Sequence, residues 1–593
     1  MIRDHFRVMV VDLSSGKTRI EQMDGRNEYI GGCGLAAMLY MKYGQPEKPW
    51  NDPDQPFILA IGPLTGYFPL MSKTVCAFKS PYHDQYAESY AGGRSALSMR
   101  FANMDALVII GKADRLSALS VGSRSVQIKD VHFLRNADVF ATGKTLRRMY
   151  SDSGHRTILR VGPAAEKGSA YACINVDSFR HFGRLGAGTV MAAKNIKGIT
   201  ILGDGNFDLL PSGRDGASSS FDAKQYNMLF KDVYTKLTST KMMSKYHDLG
   251  TAGNMKSLNT IEALPWRNLQ QTTDPEIDKI SGETFADETL LRNTACSGCP
   301  VGCVHIGYVR EKFMEENQYL FRQVAYDYEP LFSTGSMLGV TDPSQILTIM
   351  DTVEQVGLDV MSAGVALAWA TEALEKGLVT TEDTIEELKF GDADAYVQGI
   401  LHISNQTTEM YKLLAQGTMH AAKAYGGEDF ACVLGQEMAG YATGEVFFVS
   451  EALGFRHAHL DSGGYAYDQK NDQQDVQKAI DFLVEDEAGR VMMNSLVSCL
   501  FARGIYTTEL IGAALDSLGY TDIAADQDEL KFKIQQARWK VRMSTGYDPG
   551  SVRIPKRYTE VETRRGPIDA NYMEALRVEY ARRIEEMGAP DKS

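Results

Sequence analysis

Three cysteines near the middle of the chain have the spacing that most clearly predicts chemistry. Cys296, Cys299 and Cys303 form the pattern Cys-x2-Cys-x3-Cys. A turn this short aims three thiolates at one face of a cubic iron–sulfur cluster, and Gly298 and Gly302 allow backbone N–H groups to approach the cluster sulfides. A fourth ligand must then come from elsewhere in the chain.

Zinc is the main alternative for these thiols. Zinc ribbons usually bring their cysteines in two pairs, and this chain has no second Cys-x2-Cys pair. A structural disulfide fits less well, because the spacing is tight and nothing marks the chain as secreted. The residues alone therefore favour an iron–sulfur cluster and leave zinc as the alternative.

The elements that must position this motif fall into two kinds. The first two hundred residues show short apolar runs closed by Gly, Pro or Ser, which predict strands, and residues 7–13 and 18–20 around Ser14-Ser15-Gly16-Lys17 predict a hairpin. Few helices are expected here, the clearest at 35–40. Further strands are predicted at 57–61, 74–78, 106–110, 118–121, 157–161 and 199–202.

After residues 209–213 (Leu-Leu-Pro-Ser-Gly) the apolar period changes to that of helices. The clearest helix is capped by Asp342, starts at Pro343 and ends at Gly357. Further helices are predicted at 221–235, 285–292, 361–376, 394–416, 418–423, 473–487, 489–501, 507–518, 528–544 and 577–587. The prediction is an α+β fold with a β-rich base domain at 1–209 and two mostly helical domains at 210–416 and 417–593, the first of them carrying the cysteine motif.

Composition narrows the class of protein. The chain has 593 residues and a formal net charge of −14, which argues against nucleic acid or an anionic membrane as the main partner. No apolar run reaches the length that spans a bilayer, and no signal peptide or twin-arginine leader is visible. Eight unevenly spaced cysteines fit a reduced compartment. We expect a cytoplasmic protein without membrane insertion.

Short motifs follow one another in a fixed order along nearly the whole chain. They are 31–36 (GGCGLA), 62–66 (GPLTG), 79–81 (KSP), 88–93 (ESYAGG), 161–164 (VGPA), 183–197 (GRLGAGTVMAAKNIK), 328–330 (YEP) and 357–359 (GLD). Together they resemble the aldehyde ferredoxin oxidoreductase family of tungsten enzymes, and within it the bacterial paralogues. The resemblance implies a tungsten or molybdenum ion held by two pterin dithiolenes, beside one [4Fe-4S] cluster. The first domain would form the base for the pterins, and the helical domains would cover them.

The resemblance assigns the pterin phosphates to two stretches. Arg184, Leu185, Gly186, Ala187 and Gly188 form a glycine-rich loop whose N–H groups and guanidinium suit phosphate. Without that context the loop would be a tight turn with a surface arginine.

The second set of phosphate-binding residues consists of Lys73 and the segment Tyr90, Ala91 and Gly92. Lys73 stands where the family has an arginine, so the charge is kept and bidentate geometry is lost. Tyr90 replaces an asparagine whose backbone carbonyl, in the family, binds a Mg²⁺ bridging the phosphates.

The pterin edge and the fourth cluster ligand are likewise implied by the family pattern Asp-x-x-Gly-Leu-Asp. Its first copy here has Glu354, Gly357, Leu358 and Asp359, whose carboxylates would accept hydrogen bonds from pterin N–H groups. The second copy is degraded and keeps Asn494 and Ser498. Cys499 follows it at the position of the fourth cluster ligand, although a cysteine in such an apolar helical context is by itself more often an inert core residue.

For proton chemistry the family places a glutamate and a histidine near the metal, and these match Glu329 and His459. A buried glutamate there is expected to have a raised pKa, and the histidine to hydrogen-bond a substrate carbonyl or an oxo ligand. The alternatives are a solvated glutamate and a core histidine, the latter preferred for His457. Residues 441–469, rich in aromatic and charged side chains, are predicted to wall the substrate channel.

Three functions remain open at this point. The first is oxidation of an aldehyde to a carboxylic acid, or the reverse, with a ferredoxin or polyferredoxin-like subunit docking near Cys299. The second is low-potential reduction of an aryl-thioester or other carbonyl-type substrate, as the catalytic subunit of a larger complex. No cysteine lies between residues 321 and 431 to ligate the metal, which disfavours relatives that use one. The third is a zinc-binding scaffold. Homodimers and hetero-oligomers are both compatible with the sequence.

Overall fold

The computed structural model describes residues 3–151, 154–205, 221–314 and 318–590, with the backbone alone over 311–314 and 318–319. The predicted turn at 209–213 and the predicted domain boundary at 209/210 lie outside the described residues. No helix in these ranges is long and apolar enough to cross a bilayer.

Two six-stranded mixed sheets build the base of the molecule. Their orders are β2-β1-β6-β3-β4-β5 and β11-β10-β9-β12-β7-β8. The strands are β1 (Phe6–Asp12), β2 (Thr18–Met23), β3 (Phe57–Ala60), β4 (Thr74–Lys79), β5 (Tyr86–Ala91), β6 (Ala106–Ile110), β7 (Ser117–Val121), β8 (Val126–Asp130), β9 (His155–Arg160), β10 (Ile174–Val176), β11 (Arg180–Phe182) and β12 (Ile196–Gly203).

The predicted hairpin is confirmed, with Val8 opposite Glu21 in antiparallel register between β1 and β2. In each sheet one pair is parallel, β1 with β6 and β7 with β12. Six helices cover the sheets, more than the sequence predicted: α1 (Arg26–Tyr29), α2 (Gly32–Tyr43), α3 (Ser95–Phe101), α4 (Val139–Met149), α5 (Pro163–Glu166) and α6 (Ala187–Ala193).

The rest of the described chain is mostly helical, as predicted. Its helices are α7 (Ala223–Ser239), α8 (Lys241–Asp248), α9 (Asn254–Thr260), α10 (Gly282–Glu288), α11 (Tyr328–Thr334), α12 (Pro343–Val356), α13 (Val360–Glu375), α14 (Thr381–Thr384), α15 (Ala393–Asn405), α16 (Glu409–Gln416), α17 (Thr418–Tyr425), α18 (Glu445–Leu453), α19 (Gly464–Lys470), α20 (Val476–Ser495), α21 (Thr508–Ser517), α22 (Thr521–Ala525), α23 (Gln527–Ser544) and α24 (Ala570–Gly588). The α+β fold is confirmed.

A three-stranded sheet that flanks the cysteine motif, with one strand before it and two after it, was not predicted. It consists of β13 (Leu290–Thr294), β14 (Val304–Met314) and β15 (Gln318–Tyr326), in that order. The predicted helix at 285–292 is correspondingly wrong at its end, because α10 stops at Glu288. The apolar–polar alternation that begins at Val304 is the signal that could have revealed β14. A small two-stranded sheet, β16 (Glu562–Thr563) and β17 (Gly566–Pro567), follows α23.

Two helix boundaries differ from the sequence prediction. The helix predicted at 394–416 is two helices, because Gln406 adopts a left-handed conformation (φ 54°) and Thr408 caps α16 through its hydroxyl. The two helices predicted at 473–487 and 489–501 are one helix that ends at Ser495. Gly489 lies on its exposed face, and the low helix propensity of one glycine costs too little free energy to break the helix. Cys499 therefore lies beyond the helix, in extended backbone.

Candidate active site

A cavity of about 400 Å³ lies against both the first sheet and the helical part of the chain. Most of the residues that the sequence and the resemblance nominated line it. Five nominated residues are absent from the lining: Ala91, Gly186, Ala187, Gly188 and Gly357.

Backbone hydrogen bonds hold the cysteine end of this cavity together. Leu70, at φ 63°, donates its N–H to the Gly298 carbonyl (3.2 Å), and its own carbonyl accepts a hydrogen bond from the Cys499 N–H (3.0 Å). Ser297 donates to the carbonyl of Gly93 (2.9 Å). One residue of the base thus links the loop of the first three cysteines to the segment that carries the fourth.

The four thiols interact electrostatically. Burial raises the pKa of the Cys303 thiol to about 12, and Cys499, Cys296 and Cys299 add to the shift. Burial likewise raises the pKa of Cys299 to about 11. The nominated fourth cysteine, Cys499, is therefore close enough to Cys299 and Cys303 to raise the pKa of both thiols.

Cys296 behaves differently because two cations face it. Burial opposes its ionisation, but the Arg180 guanidinium, which also hydrogen-bonds the thiol, and the Lys73 ammonium outweigh that effect and lower its pKa. A Cβ placed on Gly92 would stand 2.7 Å from the Cys296 Sγ, so only glycine allows the strand to approach the sulfur. Lys73 and Gly92 thus lie at the cysteine end.

The donor set fits an iron–sulfur cluster. Cys296, Cys299, Cys303 and Cys499 are partly buried and line the same cavity, and four thiolates are the ligands of a [4Fe-4S] cluster. Among the described residues, no group of three or more His, Cys, Asp or Glu side chains is spaced to hold one metal ion.

The loop after β11 contributes Arg184 and Leu185 to the cavity. Arg184 is largely buried, donates a hydrogen bond from Nη2 to the Glu437 carbonyl and places its Nε 3.7 Å from Asp359 Oδ2, while its buried Nε and Nη1 have no hydrogen-bond acceptor. Buried donors of this kind fit a phosphate or other anion.

The glycines of that loop have a packing role instead. A Cβ on Gly186 would lie 2.2 Å from the Ala170 carbonyl oxygen, and one on Gly188 would lie 2.3 Å from the carbonyl oxygen of Cys173. They let α6 approach the neighbouring backbone, which sets the direction in which Arg184 leaves the loop.

The two nominated carboxylates of the pterin-edge motif both line the cavity, but they differ in their hydrogen-bond partners and in the direction of their pKa shifts. Glu354 accepts hydrogen bonds from Asn175 (2.8 Å) and lies 2.6 Å from His181 Nε2, so both of its oxygens have partners. Asp359 caps α13 by accepting the Ser362 N–H at Oδ2 (2.9 Å). Burial raises the pKa of Asp359. Burial would also raise the pKa of Glu354, but the neighbouring His181 outweighs it and lowers that pKa.

Leu358, Asn494 and Ser498 also line the cavity. Asn494 belongs to the last turn of α20, and its carbonyl oxygen packs against Gly32 of the base. The approach is so close that a Cβ on Gly32 would stand 2.1 Å from that oxygen. Val497, at φ 54°, then turns the chain: its N–H donates to the Asn494 carbonyl (3.2 Å), and its own carbonyl accepts a hydrogen bond from the Lys73 N–H (3.1 Å). These contacts fasten the segment before Cys499 to the base.

Glu329 and His459 meet at the other end of the cavity. The His459 Nε2 lies 3.0 Å from Glu329 Oε1, and the Tyr441 hydroxyl donates to the same oxygen (3.1 Å). Burial would raise the pKa of Glu329, but the hydrogen bond and charge of His459, with the Tyr441 hydroxyl, outweigh it and lower the pKa. The expected upward shift is therefore wrong for Glu329.

A neighbouring carboxyl, Asp327, does have a raised pKa, and sequence reasoning missed it. Burial and the neighbouring Glu329 carboxylate raise its pKa to about 6. Its Oδ2 lies 3.7 Å from Arg180 Nη1, the same arginine that faces Cys296. Its place two residues before Glu329 was the available signal, since α11 begins at Tyr328 and leaves both carboxyls at one helix N-terminus.

Only part of the predicted channel wall faces the cavity. Arg456, Ala458, His459 and Leu460 line it, and the Arg456 guanidinium lies over the Tyr90 ring (4.4 Å) while bonding Asp461. The Tyr90 hydroxyl donates a hydrogen bond to Glu88 Oε2 (2.5 Å).

Other parts of the stretch are core. Every residue of α18 is buried, and Asp468 accepts the Val446 and Phe447 N–H groups at its start. His457 is absent from the lining and is buried between the Ala452 carbonyl (2.9 Å) and Arg542 (2.6 Å), as expected of a core histidine.

Comparison with known proteins decides the family. The family model "Aldehyde ferredoxin oxidoreductase, N-terminal domain" matches residues 8–203, and the model for domains 2 and 3 of the same family matches residues 228–591. The chain belongs to the aldehyde ferredoxin oxidoreductase family. It is an oxidoreductase of this family, as the motifs predicted.

Relatives within the aldehyde ferredoxin oxidoreductase family are distant in sequence. The tungsten-containing aldehyde ferredoxin oxidoreductase of Pyrococcus furiosus is 26% identical over 591 residues, covering 95% of this chain and 92% of that protein. The WOR-like subunit of an aliphatic sulfonate oxidoreductase from the same organism is 27% identical over 436 residues, covering 70% and 66%. Substrates thus differ among the named relatives.

One solved structure of this fold is the active-site complex BamBC of benzoyl-coenzyme A reductase with 1,5-dienoyl-CoA. It superposes with a TM-score of 0.79 at 18% identity and covers 98% of this chain and 95% of that chain. At this identity the likeness concerns the fold.

Proposed function

We propose that the chain is a tungsten or molybdenum bis-pterin oxidoreductase that oxidises an aldehyde to a carboxylic acid, with electrons leaving through a [4Fe-4S] cluster. The observation that carries the proposal is the joint lining of one cavity by four interacting thiols and the Glu329–His459 pair, in a chain of this family. Each aldehyde plus one water yields the acid, two protons and two electrons.

The residues at the cavity suit these groups. The Nε and Nη1 of Arg184, which have no hydrogen-bond acceptor, and the ammonium of Lys73 would hold pterin phosphates, and the Tyr90 backbone carbonyl would hold a Mg²⁺. Glu354 and Asp359 would accept hydrogen bonds at the pterin edge. The remaining phosphate-loop and edge residues, including Ala91, Ala187 and Gly357, would shape these segments without lining the cavity.

Cys296, Cys299, Cys303 and Cys499 would bind the cluster. When bound, the metal–pterin group supplies two-electron chemistry at the substrate, and the cluster transfers electrons singly.

Glu329 and His459 would manage the protons. Because the Glu329 pKa is lowered, its carboxylate is ionised near neutral pH and can accept a proton released from water or from the aldehyde. His459 Nε2 lies on Glu329, whereas its buried Nδ1 has no hydrogen-bond partner among the described residues and is available to a substrate oxygen. Asp327, with a pKa of about 6, would take the proton onward.

The proposed electron acceptor is a ferredoxin or a ferredoxin-like subunit, and a homodimer and a hetero-oligomer both fit the proposal. The named relatives include a subunit of a larger oxidoreductase. The proposed place of action is the cytoplasm, and aldehydes or the corresponding acids are the proposed substrates.

The direct test is anaerobic turnover with methyl viologen on two substrate panels. We expect aliphatic and aromatic aldehydes to reduce the dye, and aryl-coenzyme A thioesters to be inert as oxidants of the reduced dye. The reverse result would replace the proposal with the low-potential reductase. Turnover with ferredoxin that is unchanged by C299A would contradict the electron route.

A further inference from the structure

Helices α7 and α8 form a thin layer beside the cysteine loops. Of their residues only Val233, Leu237 and Met243 are buried. These three belong to one apolar cluster with Val301, and three of the cysteine thiols, Cys299, Cys303 and Cys499, pack against that cluster. The layer is thus separated from the thiols by a few apolar side chains.

The end of α8 is attached to both cysteine segments. His247 Nδ1 lies 2.8 Å from the Val301 carbonyl oxygen, between Cys299 and Cys303. The Tyr246 ring stacks on Phe501, with centroids 4.0 Å apart, two residues after Cys499. The position of this layer relative to the thiols is therefore fixed.

The outer surface of the layer is unusually apolar for an exposed helix pair. Met228 is 65% exposed, Tyr234 47%, Met242 39% and Phe230 37%. The Phe230 and Tyr234 rings stack along α7 with centroids 6.3 Å apart. Phe230 and Tyr234 thus share one side of α7, and exposed methionine and aromatic side chains are typical of protein interfaces.

The same surface has a net positive charge, whereas the protein as a whole has a net negative charge. The two helices carry five lysines against two aspartates, a net charge of +3, in a chain of net charge −14. Within the described part of the chain, Lys236 alone among these lysines forms an ion pair, with Asp232 (2.7 Å). Lys224, Lys231, Lys241 and Lys245 remain for a partner.

We propose that this surface, the α7–α8 face (Phe230, Lys231, Tyr234, Lys241, Met242 and Lys245), docks a small acidic one-electron carrier of the iron–sulfur class. The inference rests on the proposed function, whose cluster would lie directly beneath the face. In each docking event the enzyme's cluster would lose one electron and the carrier would gain it, without bond formation. Two such events complete one aldehyde oxidation.

Charge complementarity selects this occupant. A lysine patch on an acidic protein attracts an acidic carrier and orients it, while the rest of the surface repels it. The apolar centre excludes water at the contact, and a small interface that relies on charge suits a carrier that must leave after each transfer.

The test uses the holoenzyme, purified without oxygen, and an acidic bacterial two-cluster ferredoxin as the probe. The variant K231E/K241E/K245E is compared with K112E/K144E/K423E, which makes the same charge change at exposed lysines elsewhere. We expect the first variant to raise the Kd by at least about 10-fold at low salt, and the control to change it less than about 2-fold. Added salt should weaken binding by the parent and leave the first variant nearly unaffected.

Equal affinity of parent and first variant, or equal weakening by the control, would overturn the proposal. So would loss of a homodimer in the first variant, or salt-sensitive binding of duplex DNA to the parent that this variant abolishes, because the face would then serve another occupant. Aldehyde-dependent reduction of methyl viologen separates the two claims. If all three proteins retain it, only the docking face is in question, whereas a parent without iron or dye turnover overturns both.

Discussion

The two ends of the cavity are built in different ways. At the cysteine end the main chain fixes the geometry: Leu70 bonds two cysteine segments through its backbone, and Gly92 admits a strand to the sulfur of Cys296. At the other end side chains from distant segments meet, with Glu329 held by His459 and Tyr441. The thiols and the Glu329 side chain, which is 16% exposed, are all partly buried.

This difference separates two tasks. A backbone framework fixes four ligands and tolerates changes in the side chains around it, while half-buried thiols stay near the surface where a carrier can dock. A side-chain network instead determines whether a buried carboxylate is charged. Variants at the two ends should therefore fail in different ways, through cofactor content at one end and through the chemical step at the other.

The largest effect is expected from C499A. Even residues that only support metal ligands typically change affinity or activity 10–100-fold, so loss of a cluster ligand should lower ferredoxin-linked turnover by more than about 100-fold. Iron content and the visible absorbance of the cluster report the loss directly. C432A, at a buried cysteine outside the cavity lining, is the control and should keep its iron.

At the opposite end, E329Q should keep both cofactors and lose turnover. A positioned base contributes about 10²–10⁴-fold, and glutamine preserves size and one hydrogen bond but accepts no proton. Metal analysis together with kcat distinguishes this outcome from misfolding. E283Q, at an exposed glutamate on α10, should behave like the parent. An E329Q protein with parental kcat would remove Glu329 from the chemistry.

An intermediate effect is expected from G92A. The new Cβ would stand 2.7 Å from the Cys296 sulfur, and overpacking of this kind costs about 1–3 kcal/mol. We expect lower iron occupancy and a lower melting temperature. The matched change G489A adds a methyl group where no atom lies within 4 Å, on a helix, and should stabilise the protein slightly. If both variants melt alike, the cysteine end is less tightly packed than described.

The smallest effect concerns a buried carboxyl without the partners that Glu329 has. Glu451 accepts the Ala439 N–H (3.0 Å), its Oε2 has no hydrogen-bond partner, and burial raises its pKa to about 8. Between pH about 4.3 and about 8 the unfolded chain loses this proton and the folded chain keeps it. The free energy of unfolding should therefore fall as the pH rises through this range.

Replacing Glu451 with glutamine removes that contribution. The melting temperature of E451Q relative to the parent should increase from pH 5 to pH 8. The exposed E47Q should show no such trend. A difference between E451Q and the parent that is constant with pH would mean that Glu451 is ionised in the folded protein.

The same contrast explains how much could be predicted from the sequence. The thiol spacing is local, so Cys296, Cys299 and Cys303 were visible directly, and the glycines and turn residues located eight of the seventeen described strands and most of the longer helices. Cys499 required the resemblance, because nothing local distinguishes it from a core cysteine. The pKa of Glu329 could not be predicted, since it depends on His459 and Tyr441, more than one hundred residues away in the chain. Asp327 and Arg180 were missed because their roles arise only from tertiary contacts.

The measurement that tests the account most directly is elemental analysis for W, Mo, Fe and Zn on protein purified without oxygen. We expect tungsten or molybdenum near one per chain together with about four irons. Zinc alone, in a colourless protein without iron, would contradict it and return the four cysteines to the zinc-binding interpretation.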